Sequence, residues 1–298
     1  MNGTSEILMH APKIISIGEV LWDLFPDGER FGGAPANFAC HTAIGGGDVV
    51  MLSAVGDDIH GKRAVKVLED YGVGTRLVQV APGAETGTVG IELDRSGKPT
   101  FAINEKVAWD SICFSEETAN QIQLADAVYF GTLAQRSDVS RQTIQRCIQV
   151  ARDHGIPRVL DINLRAPFFD HQVIRSSIEL ASILKLSDDE LAATTKALEI
   201  SSGDTEQILR KVMQQFSLDL IVLTRGAQGA ILVTPKGTVD QPGIPTNVRD
   251  TVGAGDAFIS TFVLGMLAGD DHEDLLKKSC QAASAVCGIS GAVPPLRD

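Results

Sequence analysis

Basic charge is scarce in this chain. Its 298 residues carry 26 Lys and Arg against 38 Asp and Glu, a formal net charge of −12, and the acids are spread along the chain rather than gathered in a tail. Phosphate backbones are held by basic patches, so no nucleic-acid partner is expected. A small anionic ligand stays open, since one local site can be positive on an acidic protein. Long apolar runs are missing as well. No stretch approaches the roughly 20 residues of a membrane-spanning helix, and residues 1–12 show no basic-then-apolar leader pattern. Cysteine is sparse: Cys40, Cys113, Cys147, Cys280 and Cys287 are odd in number, scattered and without metal-ligand spacing. Four of them lie in apolar helical surroundings, where buried free thiols are the expectation. There is no internal repeat and no low-complexity segment. These absences describe a cytoplasmic protein with neither membrane nor nucleic acid as partner. What is present, 44% hydrophobic and 21% charged residues, suits a soluble globule. The length allows one large α/β domain, or a large one with a small appendage.

The most informative stretch is residues 250–258, Asp-Thr-Val-Gly-Ala-Gly-Asp-Ala-Phe, which opens onto an apolar run closed by Gly269. This pattern predicts a tight glycine turn feeding the N-terminus of a buried helix. Gly253 and Gly255 can take backbone angles that a Cβ resists. Such a turn aims several N–H groups at one point, and the helix dipole adds positive charge there, so the turn can hold anionic oxygens. Asp256 would stand beside that anion site, where a carboxylate can take a proton from a hydroxyl. An Asp near a helix start is otherwise a cap. The Gly-Ala-Gly before it and the buried helix after it favour the chemical role.

Elsewhere, strands alternate with helices. Residues 13–19, Lys-Ile-Ile-Ser-Ile-Gly-Glu, read as a buried strand ending at a glycine, with Asp23 just beyond. Ligands in open α/β sheets collect at the carboxyl ends of strands, so Asp23 is either a ligand for sugar-like hydroxyls or a turn residue. Residues 31–41 follow, Phe-Gly-Gly-Ala-Pro-Ala-Asn-Phe-Ala-Cys-His. There Gly32 and Gly33 allow close approach to the backbone, Pro35 suits a first helical turn, and Asn37 points an amide toward the strand ends. Residues 56–63 have P-loop spacing but end in Arg63 where Ser or Thr should bind Mg²⁺, and Asp57 and Asp58 occupy the phosphate's place; a P-loop is excluded. From 86 to 103 the period becomes two. A hairpin is expected from 88–93 and 99–103, turning at 94–97, and a hairpin among βα units belongs to a separate small sheet. Trp109 is read as core. Residues 159–165 read as a strand whose alternation puts Asp161, Asn163 and Arg165 on one side. A strand over 182–186 includes Lys185 and precedes a helix capped by Ser-Asp-Asp-Glu at 187–190. Residues 220–230 read as strand, glycine turn, strand, with Thr224, Gly226 and Gly229 at the turn.

Residues 250–256 resemble the second signature of the ribokinase-like (PfkB) carbohydrate kinases, and residues 31–41 the first, in the Gly-Gly-Ala-Pro-Ala-Asn form of its fructokinase branch. The resemblance covers roughly 12–295 and implies an α/β fold. That fold is a ribokinase-like three-layer sandwich with a mostly parallel central sheet and a small β-sheet lid from about 20–32 and 86–110. It further implies transfer of the ATP γ-phosphoryl group to a sugar hydroxyl, fructose first among candidates, with Mg²⁺ required. By resemblance Asp256 is the base, and the N–H groups of Gly253, Ala254, Gly255 and Asp256 form the anion hole. Arg165 neutralises phosphoryl charge, or else makes a structural ion pair. Asp23, Gly32, Gly33, Asn37, Asp161 and Asn163 line the sugar site. Lys185, Thr224, Gly226, Gly229 and Gly255 lie on the nucleotide side. Glu190 is linked to Mg²⁺, although a capping-box role accounts for it equally, and Asp250 borders a potassium site. Exposed lid edges suggest a homodimer. The chain departs from the family at Ser187, where Asn is usual, and at Thr261. Ribokinase, 2-keto-3-deoxygluconate kinase and nucleoside kinase activities stay open, as does a non-catalytic sugar or nucleotide sensor. A Rossmann dehydrogenase is disfavoured, because Phe258 replaces the third glycine.

Overall fold

A computed structural model describes residues 10–93, 99–201 and 203–296. In chain order the strands are β1 (Lys13–Ile17), β2 (Leu21–Phe25), β3 (Gly28–Gly32), β4 (Asp48–Val55), β5 (Gly74–Val80), β6 (Gly87–Leu93), β7 (Pro99–Ile103), β8 (Ala127–Gly131), β9 (Arg158–Asp161), β10 (Ile183–Ser187), β11 (Leu220–Thr224), β12 (Ala230–Thr234) and β13 (Gly237–Gln241). The helices are α1 (Ala34–Ile44), α2 (Ile59–Asp70), α3 (Glu116–Gln123), α4 (Asp138–Asp153), α5 (His171–Leu180), α6 (Asp188–Leu198), α7 (Thr205–Phe216), α8 (Ala254–Ala268) and α9 (His272–Cys287).

The main sheet runs β13-β12-β11-β10-β9-β8-β1-β4-β5. It is parallel from β5 to β11 and antiparallel through β12 and β13. Runs such as Ala-Val-Tyr-Phe-Gly in β8 are buried throughout, as expected where helices cover both faces. Pleating divides each strand between two cores. Ile15 and Ile17 of β1 and Val128 and Phe130 of β8 meet α3, α4, α5, α6 and α7 through Ile122, Ile144, Ile174, Leu198 and Leu209. On the other face Ile14 and Tyr129 meet α1, α2, α8 and α9 through Phe38, Leu68, Phe262 and Leu276. Three layers result. The order of connection reverses between β1 and β8, which is where an open α/β sheet leaves a crevice at its carboxyl edge.

A second sheet, β3-β2-β6-β7, stands at that edge. Its β2–β6 pair is parallel, and the other two are antiparallel. The expected hairpin is β6 and β7; its turn at 94–97 lies outside the described residues. A polar contact ties this sheet to α2. Trp22 Nε1 donates to the His60 carbonyl at 3.0 Å, Glu29 takes His60 and Arg63 at 3.0 and 2.6 Å, and the Arg63 guanidinium lies 4.3 Å from the Trp22 ring centre. Asp58, in the rejected P-loop segment, caps α2 by accepting from Gly61 N–H at 2.7 Å. Trp109 is core, as expected, but of the main body. Cys40, Cys147 and Cys280 are buried free thiols, and Cys113 is exposed.

One expectation needs correction. The strand read over 159–165 stops at Asp161, and Asn163 takes a left-handed φ of 38°. Alternation therefore does not put Asp161, Asn163 and Arg165 on one side: Asp161 is buried, Asn163 half-buried and Arg165 exposed. The apolar Ile162 and Leu164 supply the period-two pattern without strand pairing beyond Asp161.

Candidate active site

Helix α8 is apolar on nearly all sides, so it sits in the core and its N-terminus must end at the sheet's carboxyl edge. The turn before it is left-handed at Gly253 (φ 78°), and a Cβ there would stand 2.1 Å from the Ala292 carbonyl oxygen. Only glycine fits. The Ala254 N–H donates to the Thr251 carbonyl at 3.3 Å, whereas the N–H groups of Gly255 and Asp256 lie in the first turn, where a helix offers no acceptor of its own. Asp250 clasps this turn to the C-terminal segment. Its Oδ1 accepts from Val252 N–H at 3.0 Å and its Oδ2 from Gly291 N–H at 3.2 Å.

Asp256 is 9% exposed, and its Oδ2 accepts from Asn37 Nδ2 at 2.9 Å. Burial raises its pKa; the Asn37 hydrogen bond and the charges of Lys185 and Arg165 oppose that rise. Asn37 belongs to the first turns of α1, whose entry at Gly33 (φ 104°) lets the chain pass so close to the Glu19 carbonyl that a Cβ would meet it at 2.5 Å. Asp23 lies over Gly32, where a Cβ would come within 2.6 Å of Asp23 Oδ2. Burial pushes the Asp23 carboxyl up to about 6, against Arg165 and Arg30. Arg165 is exposed and, among the described residues, donates only to the adjacent Leu164 carbonyl, at 3.2 Å, yet Glu19, Asp23 and Asp256 all feel its charge.

Below this layer Lys185 Nζ bonds both oxygens of Asp161 at 3.0 Å, and a Cβ at Gly255 would stand 3.2 Å from the same nitrogen. Burial raises Asp161 to about 6 in spite of Lys185, and the acids around Lys185 hold its ammonium charged against its own burial. The Tyr129 hydroxyl also reaches Asp161, at 3.4 Å, and its ring stacks on Phe38 at 3.9 Å. Asp161 and Lys185 thus engage each other under the glycine turn, and one N–H of Lys185 is left over. Glu190 spends both oxygens on backbone N–H groups, of Leu164 and Ser187, each at 2.7 Å. That is the capping arrangement held as its alternative reading.

Sheet register sets the remaining residues in a row: Asp161 pairs beside Lys185, and Ser187 beside Thr224. Thr224, Gly226 (φ 51°) and Gly229 (φ 89°) form the turn between β11 and β12, at the far side of the edge from Asp23 and Asn37. The site therefore has an acid-and-amide end and a glycine-turn end, with Asp256 and Arg165 near the first. Among the described residues no group of three or more His, Cys, Asp and Glu is arranged to hold a metal. Sequence reasoning missed two members, Glu19 and Tyr129. Glu19 carried the same signal that singled out Asp23, an acid at a strand's exit; Tyr129 was masked by its apolar strand.

The pfkB family carbohydrate kinase pattern matches residues 18–298, and the chain belongs to that family. It is 29% identical to a fructokinase of Klebsiella pneumoniae over 288 residues, spanning 93% of this chain and 92% of that one. It is 27% identical to fructokinase-2 of rice (Oryza sativa subsp. japonica) over 310 residues, 95% and 90% of the two chains. Among solved structures it resembles a fructokinase of Xylella fastidiosa with bound ATP. That match has a TM-score of 0.84 at 20% identity and covers 95% of each chain. The fold is that of the ribokinase-like kinases, as expected, and the protein is a sugar kinase by family. No helix among the described residues is long and apolar enough to cross a membrane.

Proposed function

We propose that this protein transfers the γ-phosphoryl group of ATP to a sugar hydroxyl, and that the sugar is fructose, giving fructose 6-phosphate. The observation that carries the reaction is a single buried carboxylate at a helix N-terminus. Asp256 is held by Asn37 and stands beside unengaged N–H groups. In the proposed step the sugar oxygen bonds to the γ-phosphorus, the bond to the β,γ-bridging oxygen breaks, and the hydroxyl proton passes to Asp256. Burial makes Asp256 a stronger base than an exposed carboxylate. The N–H groups of Gly255 and Asp256 receive the developing negative charge. Arg165 is exposed, with a neighbouring carbonyl as its one partner among the described residues, and can turn onto phosphoryl oxygens. Asp23, Gly32, Gly33 and Asn37 would receive the sugar, and the turn at Thr224, Gly226 and Gly229 the nucleotide.

Mg²⁺ would be carried in this site by the nucleotide phosphates and water, with Glu190, whose two oxygens each accept one backbone N–H and keep a lone pair, as a candidate ligand. It would supply charge neutralisation on the phosphates. A potassium ion beside Asp250 belongs to the same proposal; it would rest on the clasp that Asp250 makes with Gly291. The choice of fructose rests on fructokinase relatives at 27–29% identity.

Asp256→Asn tests the base. Turnover should fall about 10²–10⁴-fold, the range of a lost general base, while calorimetry still detects ATP and sugar binding. Turnover within tenfold of the wild type would remove Asp256 from that role.

A further inference from the structure

Arg136 has no place in the chemistry above, yet the molecule holds it firmly. It ends a short helical turn, Leu133–Arg136, that follows β8, and its side chain is 7% exposed. Its guanidinium grips Asp110 with two bonds, Nε to Oδ1 and Nη2 to Oδ2, each 2.8 Å. Nη2 also donates to the Asn104 carbonyl at 2.5 Å, one residue past the end of β7. The same guanidinium lies over two rings, with its carbon 3.9 Å from the Trp109 ring centre and 4.7 Å from that of Phe168.

Trp109 is a neighbour of Asp110 in the chain, but Phe168 comes from elsewhere. It belongs to the loop between β9 and α5, which carries Arg165. Two fastenings bracket that arginine. Upstream, the Leu164 N–H is held by Glu190 Oε1 at 2.7 Å. Downstream, the Phe168 N–H donates back to the Arg165 carbonyl at 2.8 Å, and the half-buried Phe168 ring rests on Arg136 and on the edge of the core. Arg165, Ala166 and Pro167 between these points are exposed. A guanidinium is attracted to an aromatic face, and its two-bond grip on a carboxylate fixes its plane. Phe168 therefore rests on a surface that does not move.

We propose that Arg136 is a positioning residue for Arg165: by holding Phe168 it fixes the turn over 165–168, so that the Arg165 guanidinium starts within reach of the transferring phosphoryl group. The inference rests on the kinase reading given above. Arg136 itself touches no reacting atom. The Arg165 side chain is exposed and flexible, so the place of its backbone sets where its charge can go. Misplacing such a group by about 1 Å can cost about 10²-fold in rate.

The test is a double-mutant cycle on kcat. Arg136→Lys keeps a charge for Asp110 but loses the flat fork, and Phe168→Leu leaves the Arg136–Asp110 pair intact. Each should lower kcat about tenfold, with the KM for ATP within about twofold. In an Arg165→Ala background each should lower it less than about twofold, because the group they position is gone. Phe168→Tyr, which keeps the ring, should stay within about twofold of the wild type. A residue that only stabilises the fold would act alike with and without Arg165, so equal losses in both backgrounds overturn the proposal. An unchanged kcat in Arg136→Lys and Phe168→Leu overturns it too, as does a Tyr variant as slow as the Leu variant.

Amide exchange reads the fastening without turnover. In Arg136→Lys the Phe168 amide should exchange about tenfold faster or more, while the Phe130 amide in β8 keeps its wild-type rate. No change at Phe168, or an equal rise at both amides, would overturn the proposal. Wild-type protein that phosphorylates no sugar would fail the kinase reading, and a rise confined to Phe168 would then still establish that Arg136 holds the turn.

Discussion

Asp256 is useful because of what surrounds it at arm's length. A carboxylate buried to 9% exposure would simply take up a proton if nothing offset its desolvation. Asn37, Lys185 and Arg165 supply that offset without forming a tight ion pair with it, so the group stays basic and still available. Lys185 does so from below while bound to Asp161. Removing one partner of a buried ion pair leaves an uncompensated charge, which costs about 3–5 kcal/mol. Lys185→Met should therefore lower stability by that amount, measured by urea unfolding at pH 7.5. A loss under 1 kcal/mol would mean that Asp161 is neutral and the pair unimportant. The loss should shrink as pH falls toward about 6, because Asp161 without Lys185 takes up its proton at higher pH than it does in the wild type.

At the scale of elements, the reach of sequence reasoning tracks how local each determinant is. The glycine turn and α8 were legible because Gly253 needs a left-handed φ and the residues after it are apolar without a break. The hairpin was legible from its period of two. The end of β9 was not, since the alternation of Ile162 and Leu164 mimics a strand while Asn163 turns the chain. Nor was the pairing of Lys185 with Asp161, which depends on the register of two strands 24 residues apart. Asp23 and Asn37 could be named as candidates, but the hydrogen bond from Asn37 to Asp256 spans 219 positions and appears only when α1 and α8 pack. The small sheet was foreseen, and its tie to α2 through Glu29, His60, Arg63 and Trp22 was not. If this sheet closes over the sugar, as the lid reading holds, hydrogen exchange of residues 21–32 and 99–103 should slow at least tenfold with sugar bound, while that of α4 is unchanged. Equal exchange with and without sugar would make the sheet a fixed part of the scaffold.

At the scale of the whole molecule, three layers and a switch point between β1 and β8 bring residues from both ends of the chain to one edge. Family membership fixes a sugar kinase, but the fold serves many acceptors, so the identity of the sugar rests on the few residues at the acid-and-amide end. The most direct measurement is ADP release from MgATP against fructose, ribose, 2-keto-3-deoxygluconate, glucose and adenosine, ranked by kcat/KM. Fructose should lead the panel, with phosphate found on its 6-hydroxyl. A folded, ATP-binding protein that prefers another acceptor would contradict the fructose reading, and one that turns over none of the five would contradict the proposed function as stated here.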